Sequence, residues 1–488
     1  MLEVFQNLLF RAHSMREVIL KNALWLAIGE ISGRLIRAIL VIYAARVLGA
    51  EGFGILAYAL SIAALFTVIS ELGLGAILTR EASRDPERSL EYFQTTFVIK
   101  VSLTIVSAFI LVIGLPYITS IKFSSILIIS IALLFIADTI RSFLMSIYRA
   151  SEKMEYETFF NIVTQVGILS VGLILLNIYR TPESLAFAYA IGSIIGTLGA
   201  IYNLRKYFLT FFKKIDFVLA RHLFKAAWLF SIGGILGVVM LNTDIIMIGA
   251  LLDATSVGLY SAAQKPIMLL YVLPAILCAS FFPSFARYAI LDKIKFKIIF
   301  EKAISLSFFM ALPSAIFIIL NAKAIINIIY GNGFELGTHS FQILSLTLFT
   351  TYPVYFITNA IFALNREKDL LIFGIGSALL NAILDYFFII KFGFTGSAIA
   401  TLITQLMASI FMWHRLSYQI HFKIFSNIKI MILAAAMAGI LQIMLINFNM
   451  NIILLALLFL ITYLIILIIF KEKILIEAKN LLLRKKIS

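Results

Sequence analysis

The chain has 488 residues, 62% of them apolar and only 13% charged, with a mean hydropathy of +1.04, more apolar side chain than a water-soluble core can use. Its net charge of +15 comes from 40 Lys and Arg against 25 Asp and Glu, but the cations are spread through connectors rather than gathered on one face, which argues against a nucleic-acid surface. One cysteine, Cys278, sits in an apolar run and excludes an internal disulfide.

Residues 1–21 read as an amphipathic helix carrying Arg11 and Arg16, without a small-residue cleavage site, and are expected to lie along the inner membrane surface. Apolar stretches of span length, bounded by Gly, Pro and charge, then predict helices at 22–48, 55–79, 93–115, 123–148, 158–179 and 184–204. These six make a first lobe, 22–204, closed by a basic connector, 205–223. A second lobe, 224–418, follows with helices at 224–252, 257–288, 299–321, 338–364, 370–390 and 397–418. Two more, at 428–447 and 452–470, fill 419–470 ahead of a basic tail, 471–488. The expected fold class is an all-α polytopic membrane protein of about 14 transmembrane helices, with little chain left for a soluble catalytic domain.

Charge sets the expected topology. Of 40 Lys and Arg, five fall within spans and five, Arg46, Lys122, Arg180, Lys323 and Lys391, on one side; about 30 are left for the other. The positive-inside rule then places both termini in the cytoplasm. Around the connector the two lobes share a local pattern: Leu48, Ala50 and Gly54 in VLGAEGFGILAY match Leu252, Ala254 and Gly258 in LLDATSVGLYSA, each at an outer turn after its lobe's first helix. That is a parallel-repeat arrangement, in which transporters bind substrate between halves. Pro86, Pro116 and Pro182 are expected in connectors, while Pro266, Pro274, Pro283, Pro313 and Pro353 fall within or near the ends of spans. There they serve either as hinges or as packing features, as do Gly233, Gly234 and Gly237 of span seven.

Ten ionisable residues fall inside the spans: Glu30, Arg34, Arg37, Glu71, Lys100, Asp138, Arg141, Asp244, Lys265 and Asp385. Each costs about 3 kcal/mol at a helix centre and must face the bundle interior or a wet cavity. Glu30 with Arg34 at i, i+4 and Asp138 with Arg141 at i, i+3 suit local pairing. Arg37 and Lys100 then exceed Glu71, leaving Arg34, Arg37, Lys100 and Arg141 as candidates for an anionic headgroup entering from the cytoplasm; a planar guanidinium suits phosphate. Purely structural pairing is the other reading. Asp244, Lys265 and Asp385, toward the outer side, are candidates for ion coupling or for simple mutual neutralisation, as are the acids Glu30, Glu71 and Asp138. His13, His222, His339, His414 and His421 lack ligand spacing, and no Gly-rich loop followed by Lys-Ser/Thr occurs, so no metal, cofactor or ATP is implied.

With those residues in view, ARVLGAEGFGILAYALS (45–61), ELGLGAILTREASRD (71–85), NTDIIMIGALLDATSVGLYSAAQK (242–265) and KFGFTGSAIATLITQ (391–405) together resemble a known group. It is the polysaccharide or oligosaccharide (O-antigen repeat-unit type) flippases of the multidrug/oligosaccharidyl-lipid/polysaccharide (MOP) exporter superfamily. The resemblance implies two six-helix lobes forming a V around a cationic cavity, with two further helices beside it. It also implies a non-enzymatic carrier in the cell membrane that moves a polyprenyl-type, pyrophosphate-linked oligosaccharide to the outer leaflet for surface-glycan synthesis. Its expected partners are that lipid-linked oligosaccharide, membrane lipids and glycan-assembly enzymes, with Arg34, Arg37 and Arg141 in the place of the family's cavity cations. Two competing readings are a drug/cation antiporter of the same superfamily, which would lean on acids, and an integral-membrane glycosyltransferase or polymerase. The latter needs a larger outer loop than the 323–336 segment, whose one acid is Glu335.

Overall fold

The computed structural model describes residues 15–119, 121–208, 217–422, 425–446, 450–470 and 472. Residues 1–14 of the expected surface helix, 209–216 of the connector and the basic tail apart from Glu472 lie outside them. Every regular element among the described residues is helical. In chain order these are α1 (Met15–Glu71), α2 (Leu74–Arg84), α3 (Ser89–Ile118), α4 (Ser125–Ala150), α5 (Met154–Tyr179) and α6 (Pro182–Asn203). After one turn at Arg205–Phe208 come α7 (Phe217–Leu251), α8 (Ala254–Leu270), α9 (Val272–Leu291) and α10 (Lys293–Tyr330). A 3₁₀ stretch, Asn332–Gly337, leads to α11 (Thr338–Leu346) and α12 (Leu348–Ala363). The chain closes with α13 (Glu367–Phe392), α14 (Phe394–Ser417), α15 (Phe425–Ile446) and α16 (Ile452–Ile469).

Among the described residues thirteen helical segments are long and apolar enough to cross a membrane, and the first, Glu17–Glu71, is 55 residues long, enough for two crossings. Its backbone turns at Gly49, where φ is 68° and ψ is −178°, a conformation that a Cβ would oppose. Counting both arms gives the fourteen crossings expected, and the chain is a multi-pass membrane protein.

Three expectations need correction. The span at 55–79 is broken: α1 stops at Glu71, Leu72 (φ 33°) and Gly73 (φ 72°) take left-handed backbone, and α2 restarts at Leu74. Pro116 and Pro182 are not in connectors: Pro116 sits in the last turn of α3, where its missing N–H costs that turn one hydrogen bond, and Pro182 opens α6 at its first position, where no intrahelical bond is lost. Residues 323–330 are not loop either, since α10 continues to Tyr330. Pro266, Pro283, Pro313 and Pro353 do fall inside helices, and α7 runs on through Gly233, Gly234 and Gly237.

Two compact units divide the chain, Met1–Gly258 and Leu259–Ser488. In the first, Leu74, Ile77 and Leu78 of α2 pack with Phe93 of α3 and Phe143 and Leu144 of α4. Its two copies of the outer-turn pattern meet directly. A Cβ on Gly54 would run into the carbonyl of Ala254, and one on Gly258 into the carbonyl of Ala50, so the small residues four apart on each helix let the backbones touch. In the second unit, Phe285, Phe296, Phe300 and Phe356 join Phe459 and Tyr463 of α16 in an aromatic core. Helix α16 is apolar on nearly every face, yet it buries Leu455, Phe459, Tyr463, Ile466 and Leu467, a single stripe of helical period. Asp292 caps α10: the N–H groups of Lys295 and Ile294 both donate to its carboxylate at 3.0 Å and hold it below the usual carboxylate range.

Candidate functional site

The break between α1 and α2 builds one end of a cavity. Where a helix stops, its last carbonyls lose their intrahelical donors. The carbonyl of Ser70 is one of these, and the ammonium of Lys100, reaching from α3, donates to it at 2.9 Å and to Oε2 of Glu71 at 2.7 Å. Lys100 is completely buried, an arrangement that costs several kcal/mol unless the charge is paired and bonded as it is here. Glu71 remains partly exposed and, with Leu72, Gly73 and Gly75, lines a cavity of about 420 Å³ in the first unit. Its other walls come from Asp138, Ser142, Ser146 and Arg149 of α4 and from Ser231, Gly234 and Val238 of α7.

Beside this cavity, three arginines are held by one helix. On α5, Glu157, Asn161 and Gln165 are four residues apart and share a face. Glu157 takes Arg149 in a two-pronged ion pair, Nε to Oε2 at 2.9 Å and a terminal nitrogen to Oε1 at 2.5 Å. Asn161 accepts from Arg141, whose other terminal nitrogen lies 2.5 Å from Oδ1 of Asp138. Gln165 accepts from Nε of Arg37 at 3.3 Å. Gly196 of α6 makes the room: a Cβ there would overlap the Thr164 hydroxyl and lie 3.3 Å from Cδ of Arg141.

Glu30 and Arg34 form the expected i, i+4 pair at 3.1 Å, and Asp138 and Arg141 the expected i, i+3 pair. Of the ten predicted residues, Glu71 and Asp138 line the cavity; Arg34, Arg37, Lys100 and Arg141 are not among its lining residues. Lys100 and Arg141 stand behind it, while Arg34 and Arg37 lie on an exposed face of α1. Charged side chains so exposed within a span must meet water rather than acyl chains. Asp138 touches Arg141 and acts on Arg37 only at a distance, so these three groups carry one net positive charge. Asp244 of α7, in the first unit, and Asp385 of α13, in the second, are buried; Lys265 of α8, also in the second, is half-buried.

Sequence reasoning missed Arg149, assigned to a connector, together with its acceptor Glu157 and the amides Asn161 and Gln165. The available signal was the E-x-x-x-N-x-x-x-Q spacing that follows Arg149.

The model of a family described as polysaccharide biosynthesis protein matches residues 19–289, more than half of the chain. It takes in three of the four stretches that carried the resemblance and leaves 391–405 outside. A curated relative, the probable low-salt glycan biosynthesis flippase Agl15 of Haloferax volcanii, is 21% identical over 407 residues, 83% of this chain and 84% of its own. Among solved structures, the lipid II flippase MurJ in an inward closed conformation superimposes with a TM-score of 0.66 at 18% identity, covering 92% of this chain and 99% of that one. An inward-facing multidrug resistance MATE family transporter of the MOP superfamily gives 0.64 at 15% identity, with 81% and 98% covered. At such identities the two structures establish a shared fold and nothing about cargo.

Proposed function

Because the chain belongs to the polysaccharide biosynthesis protein family, we propose that it is a flippase carrying a polyprenyl-type lipid-linked oligosaccharide from the cytoplasmic to the outer leaflet. On this reading it works by alternating access between two six-helix lobes, 22–204 and 224–418, and catalyses no covalent step. Both termini lie in the cytoplasm of a cell whose surface glycan it supplies, in company with glycan-assembly enzymes. The flippase named among its relatives supports the cargo class. The observation that carries the reading is a surplus cation in the first unit: Arg37, held by a neutral amide, while Asp138, the carboxylate that acts on it at a distance, is committed to Arg141.

A pyrophosphate cannot enter a low-dielectric site uncompensated, since a buried unpaired ion costs several kcal/mol even after relaxation. A guanidinium whose charge is not already spent supplies that compensation, and its fork fits two phosphate oxygens. The multidrug transporter has the same fold, so fold does not separate flippase from drug/cation antiporter; the sign of the surplus charge does, because a cationic drug is repelled by it. Outward movement of a net negative cargo is further assisted by an inside-negative potential, by about 2.3 kcal/mol per charge for each 100 mV.

The test is Arg37→Ala against Lys122→Ala, the latter removing an exposed cation before α4, in a strain lacking its own flippase. Arg37→Ala should abolish complementation at unchanged protein level while Lys122→Ala retains it; Arg37→Lys should rescue in part, keeping the charge but losing the fork. Equal activity of Arg37→Ala and Lys122→Ala at equal expression refutes the anion site.

A further inference from the structure

We infer that Gln165 is a positioning residue for the transported anion: its neutral side chain aims the guanidinium of Arg37 without cancelling its charge, at the deep end of a charge-graded arginine ladder on α5. This rests on the flippase reading and adds to it the group that sets the strength of the site.

The ladder's geometry follows from helical rise. Glu157, Asn161 and Gln165 lie about 5, 11 and 17 Å along α5 from its start at Met154, so the third rung is close to the middle of a hydrocarbon core about 30 Å thick. Each rung holds a different arginine: Arg149, Arg141 and Arg37. The acceptors Glu157 and Gln165 are buried, whereas the guanidiniums of Arg149 and Arg37 reach open space, as expected if the helix fixes the arginines and the arginines meet something else.

Charge along the ladder is uneven. The first rung is an ion pair, Arg149 with Glu157, and nets to zero. The second joins Arg141 to an amide and to Asp138. The third joins Arg37 to an amide alone, through Nε, and among the described residues no hydrogen bond occupies its two terminal amino groups. Those are the groups that a phosphate's paired oxygens engage. An anion moving inward thus passes from a compensated arginine to an uncompensated one. A carboxylate at 165 would have the same shape and would bind Arg37 more tightly, but it would spend the charge. The choice of amide over acid therefore has an electrostatic consequence and almost no steric one.

If Gln165 were only glue between α1 and α5, replacing its amide by the isosteric acid would strengthen the contact and leave transport intact. The experiment is Gln165→Glu in the purified full-length chain in detergent, with inorganic pyrophosphate as probe and Tm as readout, alongside complementation. Wild type should gain Tm with pyrophosphate. Gln165→Glu should melt no lower than wild type without ligand, yet bind pyrophosphate about tenfold or more weakly and fail to complement, because a charge-assisted bond to the anion has been replaced by an internal one. Glu157→Gln, which uncovers Arg149, should bind pyrophosphate more tightly. Should Gln165→Glu lower the basal Tm, Asn161→Asp makes the same charge change one rung away and should show the same loss of protection. Full protection and complementation by Gln165→Glu, with Arg37→Ala inactive, overturns the positioning role and leaves the flippase reading standing. Full activity of both variants removes the anion site itself.

Discussion

The first unit gathers ion pairs around one cavity, Lys100 with Glu71, Arg141 with Asp138 and Arg149 with Glu157, while the second, which also buries Asp385 and the Asp369 that pairs with Arg366 and Arg415, packs a core around the rings of Phe285, Phe296, Phe300 and Phe356. Prolines beyond the first turn of a helix divide the other way: Pro266, Pro283, Pro313 and Pro353 lie inside helices of the second unit, whereas in the described helices of the first Pro116 sits in a last turn and Pro182 at a first position. Ion pairs in a membrane interior are costly to form and costly to break, whereas packed rings carry no charge to compensate and are held by shape alone. On the proposed reading, the electrostatic work of recognition falls to the first unit, where the paired charges border the cavity.

The largest effect expected from this contrast is in the second unit. Phe300 is fully buried and stacks among Phe285, Phe296 and Phe422. Phe300→Ala should cost about 3–5 kcal/mol, the usual loss when a packed aromatic leaves a cavity. It should appear as a lower denaturation midpoint in detergent, with transport per folded molecule close to wild type. A normal midpoint with transport lost would break the comparison, because a ring would then be acting in recognition.

In the first unit, Lys100→Met keeps the volume of the side chain and removes its charge. The Ser70 carbonyl is left without its donor and Glu71 without its cation, but Glu71 is partly exposed and can rehydrate. The expected loss is thus about 2–4 kcal/mol, below that for a wholly buried pair. Unlike Phe300→Ala, this change should also slow transport of an anion, since it leaves a bare carboxylate on the cavity wall. Unchanged transport per folded molecule would return the pair to a purely structural role.

What the sequence made legible divides along the same physical line. Glu30 with Arg34 and Asp138 with Arg141 were readable because helical period fixes which residues three and four apart are neighbours. Arg37 with Gln165, 128 positions away, and Lys100 with Glu71, 29 positions away, were not, because helix packing decides them. The crossings were found from apolar length alone, yet the break at Leu72 and Gly73 was missed: the stretch from Leu72 to Leu78 is apolar enough to pass for uninterrupted helix. The glycines of ELGLG were the available warning. Arg149 was misplaced for a related reason, since a cation at a helix end reads as connector until the next helix is seen to supply its acid.

The smallest effect tests the boundary of the site. Arg34 and Arg37 lie three residues apart on α1, and both were expected as headgroup cations, but their surroundings differ. Arg34 is half-exposed and tied to Glu30, itself more exposed still, so this pair nets to zero in water-like surroundings. Exposed i, i+4 pairs stabilise by about 0.3–0.5 kcal/mol, and Arg34→Ala should reduce the unfolding free energy by no more than that. Its effect on transport is set by what remains: Glu30, released, adds one negative charge one turn beyond Arg34 and about 10 Å along the helix from Arg37, where water and salt screen most of its influence. Complementation by Arg34→Ala should therefore be reduced modestly, and the double variant Glu30→Gln with Arg34→Ala, which removes the leftover charge, should return to nearly wild-type activity. Arg37→Ala has no such route back, because its partner Gln165 carries no charge to remove. If the double variant is as inactive as Arg37→Ala, Arg34 touches the cargo directly, and the site extends along the exposed face of α1 beyond the rungs of α5.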